Sequence, residues 1–193
     1  GVSDFTLSTE NETIDVFVWK LTANGDFVWV KSFGGTGNEN CNGLAVDNQG
    51  NALLIGTFTS TVDFDPNAGV SNLTVAATTG YVLKLNSDGE FVWVMKLTTS
   101  TENTNRSYPR SISLDNQGNP HVSGHFSGTI NLDPNSSAGN YTFLNTGNIG
   151  NTDVFVAKYT ANGSFIWGKH FGGTMRLLNG GIGVDNSGNV YST

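Results

Sequence analysis

Apolar and polar residues alternate along this chain in short bursts, and each burst is closed by a turn signal. From Gly43 to Asp47 (GLAVD) the chain alternates, Asn48-Gln49-Gly50-Asn51 turns it, and Ala52 to Phe58 alternates again. Asn and Gly supply the positive φ values that a tight hairpin needs, so this reads as strand, turn, strand. A third burst covers Gly80 to Leu85, Asn86-Ser87-Asp88-Gly89 turns the chain, and a fourth runs from Glu90 to Leu97. The polar stretch from about Thr59 to Thr79 reads as a long loop between the second and third strands. No stretch holds apolar residues at i, i+3, i+4 and i+7 for more than a turn, so almost no α-helix is expected.

The four bursts recur. DVFVWKLTANGDFVWVKSFGG from Asp15 to Gly35 is nearly rewritten as DVFVAKYTANGSFIWGKHFGG from Asp153 to Gly173. Trp29, Trp93 and Trp167 align at intervals of 64 and 74 residues, and Asp47, Asp115 and Asp185 at 68 and 70. Asp65-Pro66-Asn67 returns as Asp133-Pro134-Asn135 after 68. One unit of about 69 residues, lettered A, B, C and D by strand, accounts for nearly the whole sequence, with loops of unequal length.

Four-stranded, hairpin-linked units in tandem describe the blades of a β-propeller, whose sheets bury both faces against neighbouring blades. A β-sandwich explains the strands but not the 69-residue echo, and a β-helix has a much shorter rung. The expected fold is therefore all-β, with propeller blades of four antiparallel strands, about three blade equivalents and an incomplete ring. Residues 1–35 supply strands C and D of one blade, 43–97 and 111–171 are full blades, and 181–193 supply strand A and the start of B. Propellers close with four to eight blades. The expectation is that further blades from a longer chain complete the ring, or that a second copy does so head to tail, giving six.

The pattern G-[LI]-[AGS]-[VL]-D-N-x-G-N, a strand, and then [YF]-V-x-K-[LY]-x-x-x-G-x-[FI]-x-W resembles the bacterial SBBP-type propeller repeat, a relative of the NHL repeat. The copies carrying D-[FL]-D-P-N and a Gly-Gly after strand D resemble those of long secreted Bacteroidetes proteins, many of which end in a type IX secretion sorting domain. That resemblance implies an extracellular or outer-surface location. Two features depart from the pattern: Pro120 opens strand B of the second unit, and Thr98-Thr99 stands where the first unit has Gly34-Gly35.

Composition narrows the partners. The chain has 193 residues, of which only 13% are charged, with 9 Lys and Arg against 16 Asp and Glu and a formal charge of -7. Nucleic-acid binding needs clustered cations, which are missing here. No apolar run approaches the roughly 20 residues that span a bilayer, so no membrane insertion by a helix is expected. The single cysteine, Cys41, cannot form an intrachain disulfide.

The strongest candidate site is the B–C loop. Asp63, Asp65 and Asn67 place oxygens at alternate positions, the spacing with which calcium loops begin, and Asn131, Asp133 and Asn135 repeat it with one carboxylate fewer. There is no Gly and bidentate Glu at EF-hand spacing. The competing reading is a structural turn, in which Asp and Asn accept local amides and the apolar residue between them tucks under the blade. His121 and His125 lie four apart on one strand, about 13 Å along it, which is too far for one metal ion. A hydrogen bond to solvent or to a neighbouring blade suits them better. Lys20, Lys84 and Lys158 recur at one position of strand C, which points to a packed stem whose amine reaches a carboxylate or carbonyl. Trp29, Trp93 and Trp167 read as interblade packing. Trp19 has no aromatic counterpart, and the repeat assigns it no role.

No G-x-S-x-G occurs, and Cys41 has no His near it in sequence. The composition favours a noncatalytic secreted or cell-surface scaffold that binds a protein or glycan partner through loops on one face. A polysaccharide-active propeller hydrolase or lyase, with carboxylates converging at the axis, and a spacer in an adhesin or filament are the alternatives.

Overall fold

The computed structural model describes residues 13–99, 105–133, 142–145, 151–174 and 176–193, and every regular element among them is a strand. β1 (Val16–Leu21) and β2 (Phe27–Gly35) form an antiparallel hairpin. β3 (Asn40–Val46), β4 (Ala52–Asp63), β5 (Asn72–Leu85) and β6 (Phe91–Thr99) then pair in sequence order as a first four-stranded unit. β7 (Arg106–Leu114), β8 (Pro120–Ser127), β11 (Asp153–Tyr159) and β12 (Phe165–Phe171) make a second. β9 (Thr129–Asn131) and β10 (Thr142–Leu144) pair beside it, and β13 (Ile182–Val184) pairs with β14 (Val190–Ser192). Strands A to D of the sequence are thus β3 to β6 and β7, β8, β11 and β12. No closed ring forms among the described residues.

One boundary differs from the sequence reading. The expected loop from 59 to 79 is mostly strand: β4 runs on to Asp63, β5 begins at Asn72, and only 64–71 connects them. A register shift between Phe58 and Ser60, where Ser60 has φ 61°, kinks the hairpin and masks the alternation. Beyond that kink the polar-looking stretch still buries every second residue, with Val62 fully covered and Leu73 and Val75 packed on the core. The extension also links units, because Gly34 and Gly35 of β2 pair with Asp63 and Val62, and Thr98 and Thr99 of β6 pair with Asn131 and Ile130.

The same geometry explains the missing Gly-Gly. A Cβ at Gly34 would collide with the Asp15 carboxyl, and one at Gly172 with that of Asp153. In the first full unit the residue at the Asp position is Thr79 and the one at the Gly position is Thr98. The substitution therefore travels as a cross-strand pair.

Two apolar clusters fill the spaces between units. Val16, Val18 and Phe33 of the first hairpin pack with Leu54, Tyr81, Leu83 and Leu85 of the first unit. Ile55, Val82, Met95 and Leu97 of that unit pack with Val122, Phe155, Ala157 and Tyr159 of the second. Along β5, alternate residues face opposite neighbours, so both faces are buried.

Candidate functional site

Each C–D hairpin carries a register shift directly after its lysine, and the shift sets Lys20 opposite Trp29, Lys84 opposite Trp93 and Lys158 opposite Trp167. Two donors therefore aim at one place. Lys20 Nζ and Trp29 Nε1 donate to the Ser87 carbonyl, at 2.8 and 3.1 Å. Lys84 Nζ and Trp93 Nε1 donate to the Ala161 carbonyl, at 3.2 and 3.3 Å. Ser87 and Ala161 sit at the same place in the C–D turns of successive units. The lysine also meets the aspartate of its own A–B turn, Lys84 with Asp47 at 3.2 Å and Lys158 with Asp115 at 2.9 Å. Each aspartate in turn caps its turn: Asp115 Oδ1 accepts the Gln117 and Asn119 amides, as Asp47 does those of Gln49 and Asn51. Burial pushes the Asp115 carboxyl up, but the Lys158 ammonium and the Asn119 and Gln117 donors outweigh it and hold it down at about 2.

This Asp–Lys–Trp arrangement repeats with the strands and joins one unit to the next, so it is architectural. No family model matches the chain. It is 25% identical over 177 residues to an uncharacterized WD repeat-containing protein of Acanthamoeba polyphaga mimivirus. That match takes in 86% of this chain and 12% of that protein's length. Strand order, interunit packing and this similarity agree. The four-stranded units are propeller blades.

The A–B and C–D turns gather at one end of the blades. Ser87 lies 3.5 Å from where a Gly50 Cβ would stand, and the Asn119 side chain accepts the Ala161 amide at 2.9 Å. The opposite end carries the B–C and D–A connections. There a cleft of about 340 Å³ is lined by Asp15, Ser32, Gly34, Asp63, Asp65 and Asn67, among others.

The residues expected to ligate calcium are placed as follows. Asp63 Oδ1 accepts the backbone amides of Asp65 (3.0 Å) and Ser71 (2.8 Å). Asp65 Oδ1 accepts the amide of Asn67 at 2.9 Å, and the Asn67 side-chain oxygen accepts from Lys31 Nζ at 2.6 Å. Phe64 is fully buried between them, with its ring 4.9 Å from Tyr81, 5.2 Å from Phe58 and 5.5 Å from Phe33. In the second copy Asn131 Oδ1 accepts the Asp133 amide at 2.9 Å and Leu132 is buried, while Pro134 and Asn135 lie outside the described residues. The carboxylates are engaged with backbone amides, the chemistry of a structural turn. Among the described residues no three His, Cys, Asp or Glu side chains form a group that could hold a metal ion.

The two histidines of β8 are not at the solvent. His121 and His125 are both buried, His121 edge-on to Trp167 at 6.0 Å and His125 stacked on Tyr108 at 5.1 Å. Burial, helped by the charges of Arg110 and Arg176, pushes the His125 imidazole down to about 4.

Glu39 escaped the sequence reading. It is fully buried between β2 and β3, and among the described residues neither carboxylate oxygen meets a well-aligned donor. Burial, followed by the Asp15 charge, raises its carboxyl to about 7, with the Gly35 amide opposing both. The corresponding positions of the other units are Ser107 and Leu177, so the repeat marks Glu39 only as a departure.

Proposed function

We propose that this chain is part of a noncatalytic propeller scaffold that binds a protein partner through the end carrying the B–C and D–A connections. The observation behind this reading is the contrast between the two ends. The turn end repeats the same Asp, Asn and Gly residues in each blade, and its polar groups are spent on one another. The other end changes from blade to blade: the D–A connection holds Thr36 to Glu39 after the first hairpin and Gly172 to Gly181 after the second full blade. A rigid frame with variable loops on one face suits recognition. The acidic cleft there and the formal charge of -7 favour a basic or amide-rich partner segment.

The location outside the cell that the repeat resemblance implies belongs to the same proposal. It is tested by protease accessibility of the protein on intact source cells.

The function is tested by pairing two surface variants in one partner-capture experiment. Replacing 65–70 by a glycine-serine segment alters the loop end, and Asn116→Ala with Gln117→Ala alters the turn end. The expected result is loss of the captured partner with the first and retention with the second. Retention with both overturns the assignment of the face. Release of new reducing ends from a polysaccharide panel by the purified chain overturns the noncatalytic reading.

A further inference from the structure

The second full blade departs from the first at three neighbouring positions of strands A and B. β7 and β8 set Tyr108 opposite His125, where β3 and β4 set Asn40 opposite Thr57. Both A strands then bulge by one residue, Asn42 in the first blade and Arg110 in the second. A bulge re-aims the side chain it carries. The His125 imidazole stacks on the Tyr108 ring at 5.1 Å, and the Arg110 guanidinium lies 5.8 Å from the centre of that ring. Packing the repeat does not require these residues, since the first blade does without all three.

The same region gathers the arginines of the chain, which has only Arg106, Arg110 and Arg176. Arg106 and Arg110 flank Tyr108 on β7, alternating with the buried Ser107 and Pro109. Arg176 comes from the D–A connection, where the first connection has Asn38. Its neighbour Leu177 is pinned there by an amide that donates to the Thr152 carbonyl at 2.9 Å. The charges of Arg110 and Arg176 both bear on the His125 ring. All three arginines are exposed, and among the described residues none forms a salt bridge. In a chain of formal charge -7, positive charge is concentrated here without a counter-charge. His125 does not supply one: it is 4% exposed, and its Nδ1 has no partner among the described residues. The Asp153 carboxyl, on the strand beside β8, is buried against Gly172.

We propose that Arg110 and Arg176 hold a tetrahedral dianion, the phosphate or sulfate group of a ligand, beside the stacked His125 and Tyr108. Guanidiniums present forked donors that match such an oxyanion, and binding relieves the repulsion between two cations left unpaired. Burial keeps His125 neutral near pH 7, so the two arginines set the charge that the ligand must balance. The Tyr108 ring holds the Arg110 guanidinium in place beforehand, which lowers the ordering cost of binding. Arg106 adds to the field that draws the anion in. The site belongs to a different blade from the acidic cleft and stands whether or not a protein partner binds there.

Nuclear magnetic resonance of the 193-residue chain at pH 7.5 tests this, with sodium sulfate, inorganic phosphate or sodium acetate replacing sodium chloride at constant ionic strength. The expected result is saturable shifts of the Arg110, Arg176 and His125 side-chain signals with sulfate and phosphate, the tighter of the two naming the group, and roughly tenfold weaker binding of acetate. In saturating sulfate the His125 ring should take up its proton at higher pH than in chloride, because the bound anion offsets the two guanidiniums. Arg110→Gln and Arg176→Gln should each weaken sulfate binding by roughly tenfold. Lys169→Gln removes the same charge from an exposed position of β12 and should leave binding unchanged. Shifts that saturate with neither sulfate nor phosphate overturn the proposal, as does acetate binding as tight as theirs. Unchanged sulfate affinity in both arginine variants overturns the assigned residues.

Discussion

Lys158 Nζ lies 2.9 Å from Asp115 Oδ2, and that contact ties strand C of a blade to the A–B turn of the same blade. Both side chains are largely covered, so removing one partner strands a charge. Lys158→Met is expected to cost about 1–2 kcal/mol in a urea titration, below the range for a fully buried pair because part of the ammonium meets water. The folded Asp115 carboxyl is depressed from 3.8 to about 2, so its contribution is present above pH 3.8 and is lost as pH falls toward 2. In Lys158→Met that acid loss should be smaller.

His125 works in the window above. Its ordinary value is 6.5 and the folded value about 4, so between these the unfolded chain takes up a proton that the folded chain refuses. Stability is expected to fall as pH drops from 6.5 to 4. His125→Phe keeps a ring against Tyr108 and should flatten that slope. An unchanged slope in urea midpoints measured at pH 7, 6, 5 and 4 refutes the assignment.

Glu39 gives the opposite sign. Its carboxyl rises from 4.5 to about 7, so between these pH values the folded chain keeps a proton that the unfolded chain has released. Stability from this group is full below pH 4.5 and declines as pH rises through 7. Glu39→Gln, which stays neutral, should melt higher than wild type at pH 8 and nearly with it at pH 4.

The D-F-D-P-N turn separates packing from ligation. Phe64→Ala is expected to cost about 3–5 kcal/mol, the range for emptying a buried aromatic site. Asp63→Ala leaves the Asp65 and Ser71 amides without their acceptor and should cost about 1–2 kcal/mol. Calcium added at millimolar concentration should leave the melting temperature of the wild-type chain unchanged. A rise that disappears in Asp63→Ala would show that the loop binds the ion after all.

Features written once per blade were legible in the sequence. The turn residues, the Lys20, Lys84 and Lys158 series and the apolar residue inside D-[FL]-D-P-N all recur, and recurrence shows that a position solves a packing problem. What could not be read depends on contacts between residues distant in sequence. Thr61 to Asp63 looked like loop because the kink at Ser60 shifts the alternation by one residue. His121 and His125 were read as bonded to solvent or to a neighbouring blade, because the rings that cover them, Trp167 and Tyr108, stand on other strands of their own blade. Glu39 gave no signal, since an isolated Glu in a polar stretch has the same pattern whether it meets water or Asp15. Trp19 was visible as an oddity, and only the structure sets its exposure against the burial of Leu83 and Ala157.

The grip of each Lys–Trp pair on the following C–D turn has a direction. The donors lie 58 to 77 residues before the carbonyl they hold. During synthesis the hairpins carrying Trp29 and Trp93 therefore emerge with the indole unsatisfied and the ammonium one acceptor short, and each is locked only when the next hairpin leaves the ribosome. Blades couple to their nearest neighbours, as in other repeat arrays, and assembly proceeds from the amino-terminal side. Trimming is accordingly unequal: losing the second full blade strands the Trp93 indole and leaves Lys84 with Asp47 alone, while losing a hairpin from the amino side strands a single carbonyl that water readily serves.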